Sequence, residues 1–481
     1  MAPYPVLVTP AQAHPLIARL SEVLPGARVL TDPSETQDYR HDETAYLRAG
    51  EPLAVVFPRS ASEVSSLVSL AAEHRVPLVP RGAGTGLSGG AVAVQGAITV
   101  VMTEMDRILE VDPDNLLVVT QPGVTNAAIG RAVAPHGLFY PPDPASYETC
   151  TLGGNLAEDA GGLCCVKYGV TGDYVLGLEV VLADGEIIRT GGRTVKDVMG
   201  YDLTHLFVGS EGTLGIITEA TLRLRPVPAT KATLLAFFPS TSHAGEAVSR
   251  ITRAGLVPVT LELMDRYVIE AVEAALRLGL DTAAGAMLMI ESDTGGQAAE
   301  AELDAAASAC TAAGSTSHTS ATEPAAADSL RQARREAHWS MVRRGVARME
   351  DVGVPRDRIT DLLDAIERRA QQHGVMVGVY GHAGDGNFHP TLVMDPDDAD
   401  AEARVEAIRA DLFADVLALD GTISGEHGVG LAKRGYLEAQ RGRRAVAAMR
   451  AIKDGLDPLG ILNRGKVFGD APVDDESAFG Q

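Results

Sequence analysis

Positive charge is scarce in this chain. Its 481 residues include 41 lysines and arginines against 64 aspartates and glutamates, which gives a formal net charge of −23. A chain with this balance is repelled by nucleic acid and by anionic membrane surfaces. Any anionic ligand must therefore be held by local backbone dipoles and by a few selected cations.

Cysteine is scarce as well, since Cys150, Cys164, Cys165 and Cys310 are the only four. No two of them have the C-x-x-C spacing of zinc ribbons, redox pairs or iron–sulfur ligands. Such a small number of cysteines, without pairing motifs, favours a reducing, cytosolic setting. The chain also lacks an apolar run of membrane-spanning length, and no basic segment precedes an apolar core at its start. We therefore expect neither a membrane anchor nor a signal peptide.

Glycine, in contrast, is concentrated in one stretch that also carries a single cation, Arg81. Five glycines fall there within nine residues: Gly82, Gly84, Gly86, Gly89 and Gly90. Glycine lets the backbone adopt left-handed conformations and lets a ligand approach the main chain closely. Consecutive N–H groups in such a loop can surround an anion. The stretch predicts a phosphate-binding loop, with a simple glycine-rich turn as the alternative.

Residues 84–89 also match the dinucleotide-binding pattern G-x-G-x-x-G. That pattern indicates a Rossmann fold only when it follows a strand and opens a helix. A strand-like segment precedes it at 76–79, but residues 91–102 have the composition of a β-strand. The flanking pattern therefore disfavours a Rossmann fold. No lysine follows in Walker spacing, which excludes a P-loop.

Strand and helix patterns divide the chain into two domains. Residues 53–79 predict a β-α-β unit that ends in the glycine loop. After residues 226–228 the pattern changes, and β-α-β units recur from residue 229 onward, as expected of a ferredoxin-like sheet. The Ala/Ser/Thr-rich segment 311–328 is poorly patterned, which favours a mobile surface connection.

Two further glycine-rich stretches lie at 149–162 and 207–219. The first carries hydroxyl and amide side chains instead of cations, and these suit the neutral edge of a ring system better than a phosphate. The segment 141–146 has three prolines in four positions, so it predicts a rigid lining segment. These stretches together favour a surface that binds a ring.

A histidine pair and a Glu-His pair suggest a metal site. If 384–387 is a hairpin loop, His382 lies directly opposite His389, with Cβ atoms about 5 Å apart. Both imidazoles could then reach one ion, although single strand histidines are usually structural. Glu426 and His427 lie between glycines, and two histidines with one glutamate form a catalytic ligand set. Because adjacent residues cannot easily share one ion, we expect Glu426 as ligand and His427 as base.

Eight motifs occur in a fixed order: Pro80-Arg-Gly-Ala-Gly-Thr-Gly-Leu-Ser-Gly-Gly90, Pro142-Asp-Pro-Ala-Ser146, Thr151-Leu-Gly-Gly-Asn155, Lys167-Tyr-Gly169, Gly200-Tyr-Asp-Leu203, Gly209-Ser-Glu-Gly-Thr-Leu-Gly215, Gly381-His-Ala-Gly-Asp-Gly-Asn387 and Ser424-Gly-Glu-His-Gly428. Together they resemble the FAD-linked 2-hydroxyacid dehydrogenases, which include the glycolate oxidase catalytic subunit, D-lactate dehydrogenase and D-2-hydroxyglutarate dehydrogenase, in the vanillyl-alcohol-oxidase superfamily. The resemblance covers residues from about 50 to 468.

The resemblance implies an α+β fold. A two-subdomain FAD-binding domain of vanillyl-alcohol-oxidase type is expected over 1–228. A ferredoxin-like cap domain with the substrate and metal site is expected over 229–430. The C-terminal segment 431–481 would return to the FAD domain, with 470–481 as a disordered tail.

The resemblance also implies the residues of the site. FAD would be bound by Pro80, Arg81, Gly82, Ala83, Gly84, Thr85, Gly86, Leu87, Gly90, Pro122, Pro142, Ser146, Thr151, Gly154, Asn155, Gly161, Ile216 and Asn463. His382, His389 and Glu426 would bind a divalent metal, usually zinc. His427 would be the catalytic base, and Arg334 would grip the substrate carboxylate, whereas most arginines of 330–344 are expected on a solvated face.

The implied activity is FAD-dependent, metal-assisted oxidation of a small 2-hydroxyacid, D-lactate or glycolate, to the 2-oxoacid, with hydride passing to a non-covalently bound flavin. The alternatives are a D-2-hydroxyglutarate dehydrogenase, the flavin subunit of a multi-subunit glycolate oxidase, or a non-redox transferase of the same fold. The transferase family carries three consecutive histidines that this chain lacks. A separate electron acceptor or iron–sulfur partner, a homodimer, and a cytoplasmic location or attachment to the inner membrane face are expected.

Three residues depart from the family pattern. Arg331 stands where tryptophan is frequent, which puts the wall of the substrate pocket in question. Thr391 stands where dicarboxylate-specific members carry asparagine, which disfavours hydroxyglutarate. Arg464 stands where proline is frequent, which is expected to be a tolerated change in a loop.

Overall fold

A computed structural model describes residues 15–228, 231–321, 324–395 and 397–469. These residues form two compact units. The first holds the chain up to Ala160, Val170–Val227 and the chain from Glu426 onward, and the second holds Gly161–Gly169 and Pro228–Gly425. The predicted disordered tail, 470–481, lies outside the described residues.

The helices and strands up to residue 227, of which only α6 belongs to the second unit, are α1 (Pro15–Val23), β1 (Arg28–Leu30), α2 (Pro33–Thr36), β2 (Ala54–Phe57), α3 (Ala61–His74), β3 (Leu78–Arg81), β4 (Ile98–Val101), β5 (Ile108–Asp112), β6 (Leu117–Thr120), α4 (Asn126–Val133), β7 (Leu138–Phe139), α5 (Leu152–Glu158), α6 (Cys165–Tyr168), β8 (Val175–Val181), β9 (Ile187–Gly191), α7 (Leu203–Phe207), β10 (Ile216–Arg223) and β11 (Arg225–Pro226).

One sheet of the first unit has the order β1-β2-β4-β3, in which β2 and β3 both run parallel to β4. Helix α3 joins β2 to β3. It begins after Ser60, whose hydroxyl accepts the N–H of Glu63 at 3.2 Å, and it ends at Arg75, which adopts the left-handed conformation. The apolar side of α3 lies in the same core as this sheet. The β-α-β unit predicted over 53–79 is therefore confirmed.

A strand, not a helix, follows the glycine loop. Residues 91–97 form turns and an extended segment, and they lead into β4, which pairs in parallel with β3 from Ile98 to Val101. The strand expected over 91–102 is therefore confined to its second half. A strand at this point is incompatible with the helix that a Rossmann fold requires.

The other sheet of the first unit is antiparallel, with the order β5-β6-β10-β8-β9. Strands β7 and β11 form a separate two-stranded ribbon. Two sheets with helix α3 packed in a core that both share thus make up the FAD-type fold that the sequence resemblance implied.

The later elements are β12 (Ala232–Phe238), α8 (Thr241–Arg253), β13 (Thr260–Asp265), α9 (Arg266–Leu276), β14 (Ala286–Ser292), α10 (Gly296–Ala312), β15 (Ser317–Ala321), α11 (Pro324–Arg335), α12 (Ala337–Val342), β16 (Val346–Met349), β17 (Val352–Gly353), α13 (Ile359–His373), β18 (Met376–His382), β19 (Asn387–Met394) and α14 (Ala401–Ala418) in the second unit, followed by α15 (Leu437–Arg441) and α16 (Arg443–Leu456) in the first.

The second unit is built on one antiparallel sheet of eight strands. Its order is β15-β12-β14-β13-β18-β19-β16, with β17 paired to β19. Numbered along the chain, the strands β15, β12, β14 and β13 have the fourth-first-third-second order of a ferredoxin-like fold. Helices α8 and α10 make its two crossovers. The ferredoxin-like prediction is confirmed, and the β18–β19 hairpin extends the sheet beyond β13.

The prediction of a mobile connection over 311–328 was wrong for most of that segment. Helix α10 runs to Ala312, and strand β15 follows from Ser317 to Ala321. Strand β15 forms the edge of the sheet, paired with β12. Backbone pairing stabilises it, which the weak side-chain pattern of the sequence could not reveal.

The expected register of the β18–β19 hairpin was also wrong. His382 pairs with Asn387, not with His389. The turn closes directly after β18, because the N–H groups of Asp385 and Gly386 both donate to the carbonyl of His382, at 3.2 and 3.0 Å. The shift is by two residues, so both histidines remain on one face of the sheet, as diagonal rather than direct neighbours.

The short segment 161–169 is anchored within the second unit through one buried carboxylate, Asp293. The hydroxyl of Tyr168 donates to it at 2.6 Å, and the ammonium of Lys167 forms an ion pair with it.

Among the helices of the described segments, none combines the length and the apolar character that crossing a bilayer requires.

Candidate active site

The glycine loop of the first unit begins where β3 ends, at Arg81. Gly84 and Gly89 have φ angles of +83° and +82°, which only glycine adopts without strain. A Cβ atom on Gly82 would lie 2.2 Å from Oγ1 of Thr151. The loop therefore lies directly against the side chain of Thr151, at the start of α5.

Three buried polar atoms around this loop have no hydrogen-bond partner among the described residues: Oγ1 of Thr151, Oγ of Ser88 and Oδ1 of Asn463. A buried polar atom without a partner costs free energy, and a native structure normally supplies one. These orphaned atoms indicate that a polar ligand completes the loop. The donor and acceptor set fits the ribityl and phosphate groups of a flavin nucleotide.

The C-terminal segment returns to the same loop. The side chain of Asn463 donates to the carbonyls of Gly90 and Glu211, at 3.0 and 2.7 Å. The ammonium of Lys466 donates to Gly90 and Val92, at 3.2 and 2.6 Å. Burial lowers the pKa of Lys466 to about 8. Residues near the end of the chain therefore fix the far side of the loop.

Arg81, the only cation of the loop, is buried and donates from Nη1 to the carbonyl of His41 at 2.7 Å. Burial lowers the pKa of its guanidinium. A Cβ atom on Gly84 would lie 2.0 Å from Nη2 of Arg81. The guanidinium thus lies under the loop and keeps its backbone in place.

The remaining residues predicted at the ring of the cofactor lie on several elements. The carbonyl of Pro142 accepts from Asn126 at 2.9 Å, and Pro122 lies against Gly153 at the start of α5. Ser146 precedes the turn that leads to α5, while Gly154 and Asn155 lie within α5. Ile216 opens β10, and Gly161 belongs to the segment of the second unit.

Two buried carboxylates in the first unit escaped the sequence prediction. Glu211 accepts the N–H groups of Val429 and Gly430, at 2.8 and 2.7 Å. A Cβ atom on Gly428 would lie 2.0 Å from Oε2 of Glu158. Burial, with the neighbouring charge of Glu211, raises the pKa of Glu158 well above its ordinary value. Together these contacts anchor the backbone that follows His427.

The second unit brings the two predicted metal histidines together. The rings of His382 and His389 lie 5.3 Å apart between centroids, at 86° to each other. Nδ1 of His382 lies 2.7 Å from Oε1 of Glu262, and Nδ1 of His389 lies 3.8 Å from Oδ1 of Asp351. Carboxylates behind histidine rings are the usual outer partners of metal ligands.

Arg334 lies at the end of α11, close to this histidine pair. Its Nε atom is 2.5 Å from Oε2 of Glu262, and its guanidinium stands 4.9 Å from the ring centre of Tyr380. Its side chain is only 5% exposed. In the part of the chain that the structure describes, Nη2 has no hydrogen-bond partner. A buried guanidinium with an unused donor is suited to an incoming carboxylate.

Arg331 has a different environment from Arg334. It forms ion pairs with the buried Glu291 and with Asp328. This arginine is therefore committed to ion pairs within the second unit.

Asp351 organises the chain that leads to the Glu-His pair. It accepts from Nδ2 of Asn387 at 2.7 Å and from the N–H of Gly425 at 2.8 Å. Glu426 is the residue after Gly425, and the Cα atoms of the two residues are about 3.8 Å apart. The hydrogen bond to Gly425 therefore also restricts the position of Glu426. Nε2 of His427 lies 3.8 Å from Oε1 of Glu426. This segment is not helical.

Comparison with known proteins identifies the family. A family model described as "FAD linked oxidases, C-terminal domain" matches residues 227–467, and one described as "FAD binding domain" matches residues 52–191. The chain belongs to the FAD-linked oxidases. Its cofactor is therefore FAD, as the sequence resemblance implied.

Relatives of this FAD-linked oxidase cover nearly its whole length. It is 44% identical to the glycolate oxidase subunit GlcD of Bacillus subtilis over 431 residues, which are 89% of this chain and 92% of the relative. It is 37% identical to a D-lactate dehydrogenase of Archaeoglobus fulgidus, over 94% of this chain and 98% of the relative. The crystal structure of p-cresol methylhydroxylase shares its fold, with a TM-score of 0.81, 17% identity, and coverage of 97% and 98%.

Glu262, Asp351 and Tyr380 were not predicted as parts of the site of this FAD-linked oxidase. Glu262 is a charged residue in a strand whose six residues are all buried. A carboxylate between two buried leucines, Leu261 and Leu263, was the signal that could have found it, because a buried carboxylate requires a partner. Asp351 and Tyr380 carry no comparable signal, since contacts with distant residues define their roles.

Proposed function

We propose that this FAD-linked oxidase converts glycolate or D-lactate to the corresponding 2-oxoacid. The observation that carries the proposal is the arrangement in the second unit, where one carboxylate, Glu262, contacts both His382 and Arg334. A carboxylate-binding guanidinium beside a pair of metal-binding imidazoles matches an acid whose neighbouring carbon carries a hydroxyl group. The activities named for the relatives support the same chemistry.

Arg334 would hold the carboxylate of the substrate. Its Nη2 donor is buried and unused among the described residues, and the ring of Tyr380 limits the movement of the guanidinium. A charge-assisted hydrogen bond from such a donor stabilises the bound acid by about 1.5–3 kcal/mol. The same contact would orient the hydroxyl-bearing carbon toward the histidines.

His382, His389 and Glu426 would hold a divalent metal, with zinc as the expected ion. The donor set fits, because two imidazoles supported by carboxylates and one glutamate leave room for a substrate ligand. Glu426 is attached to Gly425, whose N–H is bound to Asp351 behind His389. When bound, the metal would polarise the α-hydroxyl of the substrate.

His427 would accept the proton of that hydroxyl as the general base. The backbone on its C-terminal side is fixed by Glu211, which limits the positions that the imidazole can take. FAD, when bound, accepts the hydride from the carbon of the substrate. One proton and one hydride thus leave the substrate, and its C–O single bond becomes the carbonyl of the 2-oxoacid.

FAD would be held without a covalent bond by the loop 80–90, the start of α5 and Asn463. No histidine or cysteine occurs within 80–90, which supports non-covalent attachment. Acid precipitation of the purified protein should therefore release all of its FAD into the supernatant, and flavin that stays with the precipitate would contradict this part of the proposal.

D-2-hydroxyglutarate is the less favoured substrate. Thr391 is fully buried, and its hydroxyl donates to the hydroxyl of Tyr380 at 3.3 Å. A threonine already engaged in this way is a poor partner for a second carboxylate, and asparagine stands at this position in the dicarboxylate-specific members that the sequence resembles.

Electrons would leave the flavin through a separate acceptor. The name of the Bacillus relative, a glycolate oxidase subunit, supports a partner that carries them, and the four cysteines of this chain have no iron–sulfur spacing. Purification from the native cell, followed by mass spectrometry and sedimentation, tests for this partner. The same sedimentation tests the expected homodimer, and cell fractionation tests the expected cytoplasmic or peripheral membrane location.

A substrate panel tests the proposed activity. The FAD-loaded protein is assayed with an artificial electron-accepting dye and with glycolate, D-lactate, L-lactate or D-2-hydroxyglutarate. We expect the highest kcat/KM with glycolate or D-lactate. A clear preference for D-2-hydroxyglutarate, or dye reduction with none of the four acids, would overturn the proposal.

A further inference from the structure

Glu262 occupies the central position in the second unit's site. It lies in β13, directly across from His382 in β18, and it is only 2% exposed. Each of its two oxygens contacts a different functional side chain. Oε1 lies 2.7 Å from Nδ1 of His382, and Oε2 lies 2.5 Å from Nε of Arg334.

The first contact determines which nitrogen of His382 can bind a metal. A carboxylate is only an acceptor when ionised, so Nδ1 of the imidazole must carry the proton that it donates to Glu262. The lone pair then lies on Nε2, which is the nitrogen that could bind a metal ion. The hydrogen bond also fixes the orientation of the ring and makes the imidazole a stronger ligand.

The second contact determines which edge of Arg334 is presented to a ligand. With Nε held by Glu262 and the guanidinium plane close to Tyr380, the outer edge of the guanidinium is left for the substrate. A buried guanidinium without a counter-charge would be strongly destabilised. Glu262 therefore supplies the counter-charge of Arg334 and orients its guanidinium.

We propose that Glu262 is a positioning residue. It orients both the metal ligand His382 and the carboxylate-binding Arg334. Affinity for the metal and affinity for the substrate are then linked through one side chain that touches neither. This inference rests on the proposed function for its substrate half, while its metal half can be measured without turnover.

The chain offers a matched control for a purely structural ion pair. Glu291 lies in β14, next to β13 and on the same face of the sheet. It is fully buried, forms an ion pair with Arg331, and accepts from the hydroxyl of Thr233 at 2.9 Å. It therefore has the burial and the arginine of Glu262, but its contacts are with structural residues.

The test compares Glu262→Gln and Glu291→Gln in the full-length, FAD-loaded protein. Zn²⁺ affinity is measured by competition with a chromophoric chelator, and thermal stability is measured on the same samples. We expect Glu262→Gln to weaken Zn²⁺ binding by about 10- to 100-fold, the usual effect of losing an outer partner of a ligand. Glu291→Gln should lower the melting temperature without changing the affinity for Zn²⁺.

Steady-state kinetics add the substrate half of the test. For Glu262→Gln at saturating Zn²⁺, we expect a raised KM for the hydroxyacid because Arg334 loses its orientation. Glu262→Asp keeps the charge and should recover part of both affinities, and it replaces Glu262→Gln if that variant fails to fold. Glu291→Gln should keep the KM of the wild type.

Three results would overturn the inference: unchanged Zn²⁺ affinity in the folded Glu262 variants, an equal loss in Glu291→Gln, or no measurable Zn²⁺ binding to the wild type. If Glu262→Gln weakens Zn²⁺ binding while the wild type oxidises no 2-hydroxyacid, the metal half stands and the proposed function fails.

Discussion

The side-chain amide of Asn463 donates to the backbone carbonyl of Gly90, 373 residues earlier in the chain, at 3.0 Å. The same amide donates to the carbonyl of Glu211 at 2.7 Å, while its oxygen is buried without a partner among the described residues. Asn463 adopts a left-handed conformation with a φ of +40°. This one residue thus ties the C-terminal segment to the glycine loop and presents an unused acceptor beside it.

Replacing Asn463 with alanine should reduce retention of FAD. The change leaves the carbonyl of Glu211 without its side-chain donor, at a cost of about 1–3 kcal/mol, and leaves Lys466 as the side-chain donor to Gly90. It also removes the acceptor proposed for the cofactor. We expect a lower FAD-to-protein ratio after gel filtration and a higher Kd for FAD. Asn115→Ala, which removes an exposed amide from a turn, is the control. Equal FAD retention in both variants would contradict this role of Asn463.

Gly82→Ala should also impair FAD binding, for a steric reason. The added Cβ would lie 2.2 Å from Oγ1 of Thr151, so the hydroxyl proposed to bind the cofactor would have to move. Gly130→Ala is the control because that helical glycine has open space around it, and alanine there should stabilise the fold by about 0.5–1 kcal/mol. A Gly82→Ala protein that binds FAD as tightly as the wild type would show that this packing is not needed.

His382→Ala or His389→Ala should abolish stoichiometric metal binding. Each variant removes one of two imidazoles that approach each other in the second unit, and a remaining pair of ligands holds a divalent ion weakly. Metal content after dialysis, measured by elemental analysis, checks the result. His373→Ala removes a histidine that contacts Asp411 on a helix surface and should keep the metal. Full metal content in His382→Ala would refute the proposed site.

Arg334→Ala should raise KM for the hydroxyacid by about 10- to 100-fold, which corresponds to the 1.5–3 kcal/mol of a charge-assisted hydrogen bond. The reason is that the substrate carboxylate loses its buried donor. Arg331→Met is the control, because that arginine pairs with Glu291 and should affect stability but not KM. If KM rose only in the Arg331 variant, Arg331 and not Arg334 would bind the substrate carboxylate, and the prediction would be contradicted.

Lys466 should make stability depend on pH. Its pKa is lowered by burial from 10.5 to about 8, so between these values the folded state binds fewer protons than the unfolded chain. The free energy of unfolding therefore rises with pH across that window. Denaturant titrations of the apoprotein at several pH values should show this rise in the wild type and lose it in Lys466→Met. Lys196→Met, at an exposed position, should retain it.

Local sequence patterns predicted the fold well where neighbouring residues determine it. The β-α-β unit over 53–79 follows from apolar periodicity and from the Ser60 cap, which are local properties. The segment that holds strand β15 was expected to be a mobile connection because its strand pattern is weak, whereas pairing with β12 stabilises it. The hairpin register was wrong by two residues, since two backbone donors to the carbonyl of His382 place the turn, and sequence alone does not report them.

The site could be predicted only in part, for a similar reason. Motifs suggested His382, His389 and Arg334 as candidates because these residues belong to recognisable patterns. Glu262 and Asp351 act through contacts with residues more than 35 positions away, at 2.7 Å to His382 and 3.8 Å to His389. Their importance follows from the strand order of the second unit, which brings β13 next to β18.

An anaerobic single turnover tests the central claim most directly. The FAD-loaded, metal-loaded protein is mixed with glycolate or D-lactate without an electron acceptor, and the flavin absorbance and the 2-oxoacid are measured together. The account predicts that the flavin is fully reduced and that one 2-oxoacid forms for each FAD. A flavin that stays oxidised with both acids would contradict the account.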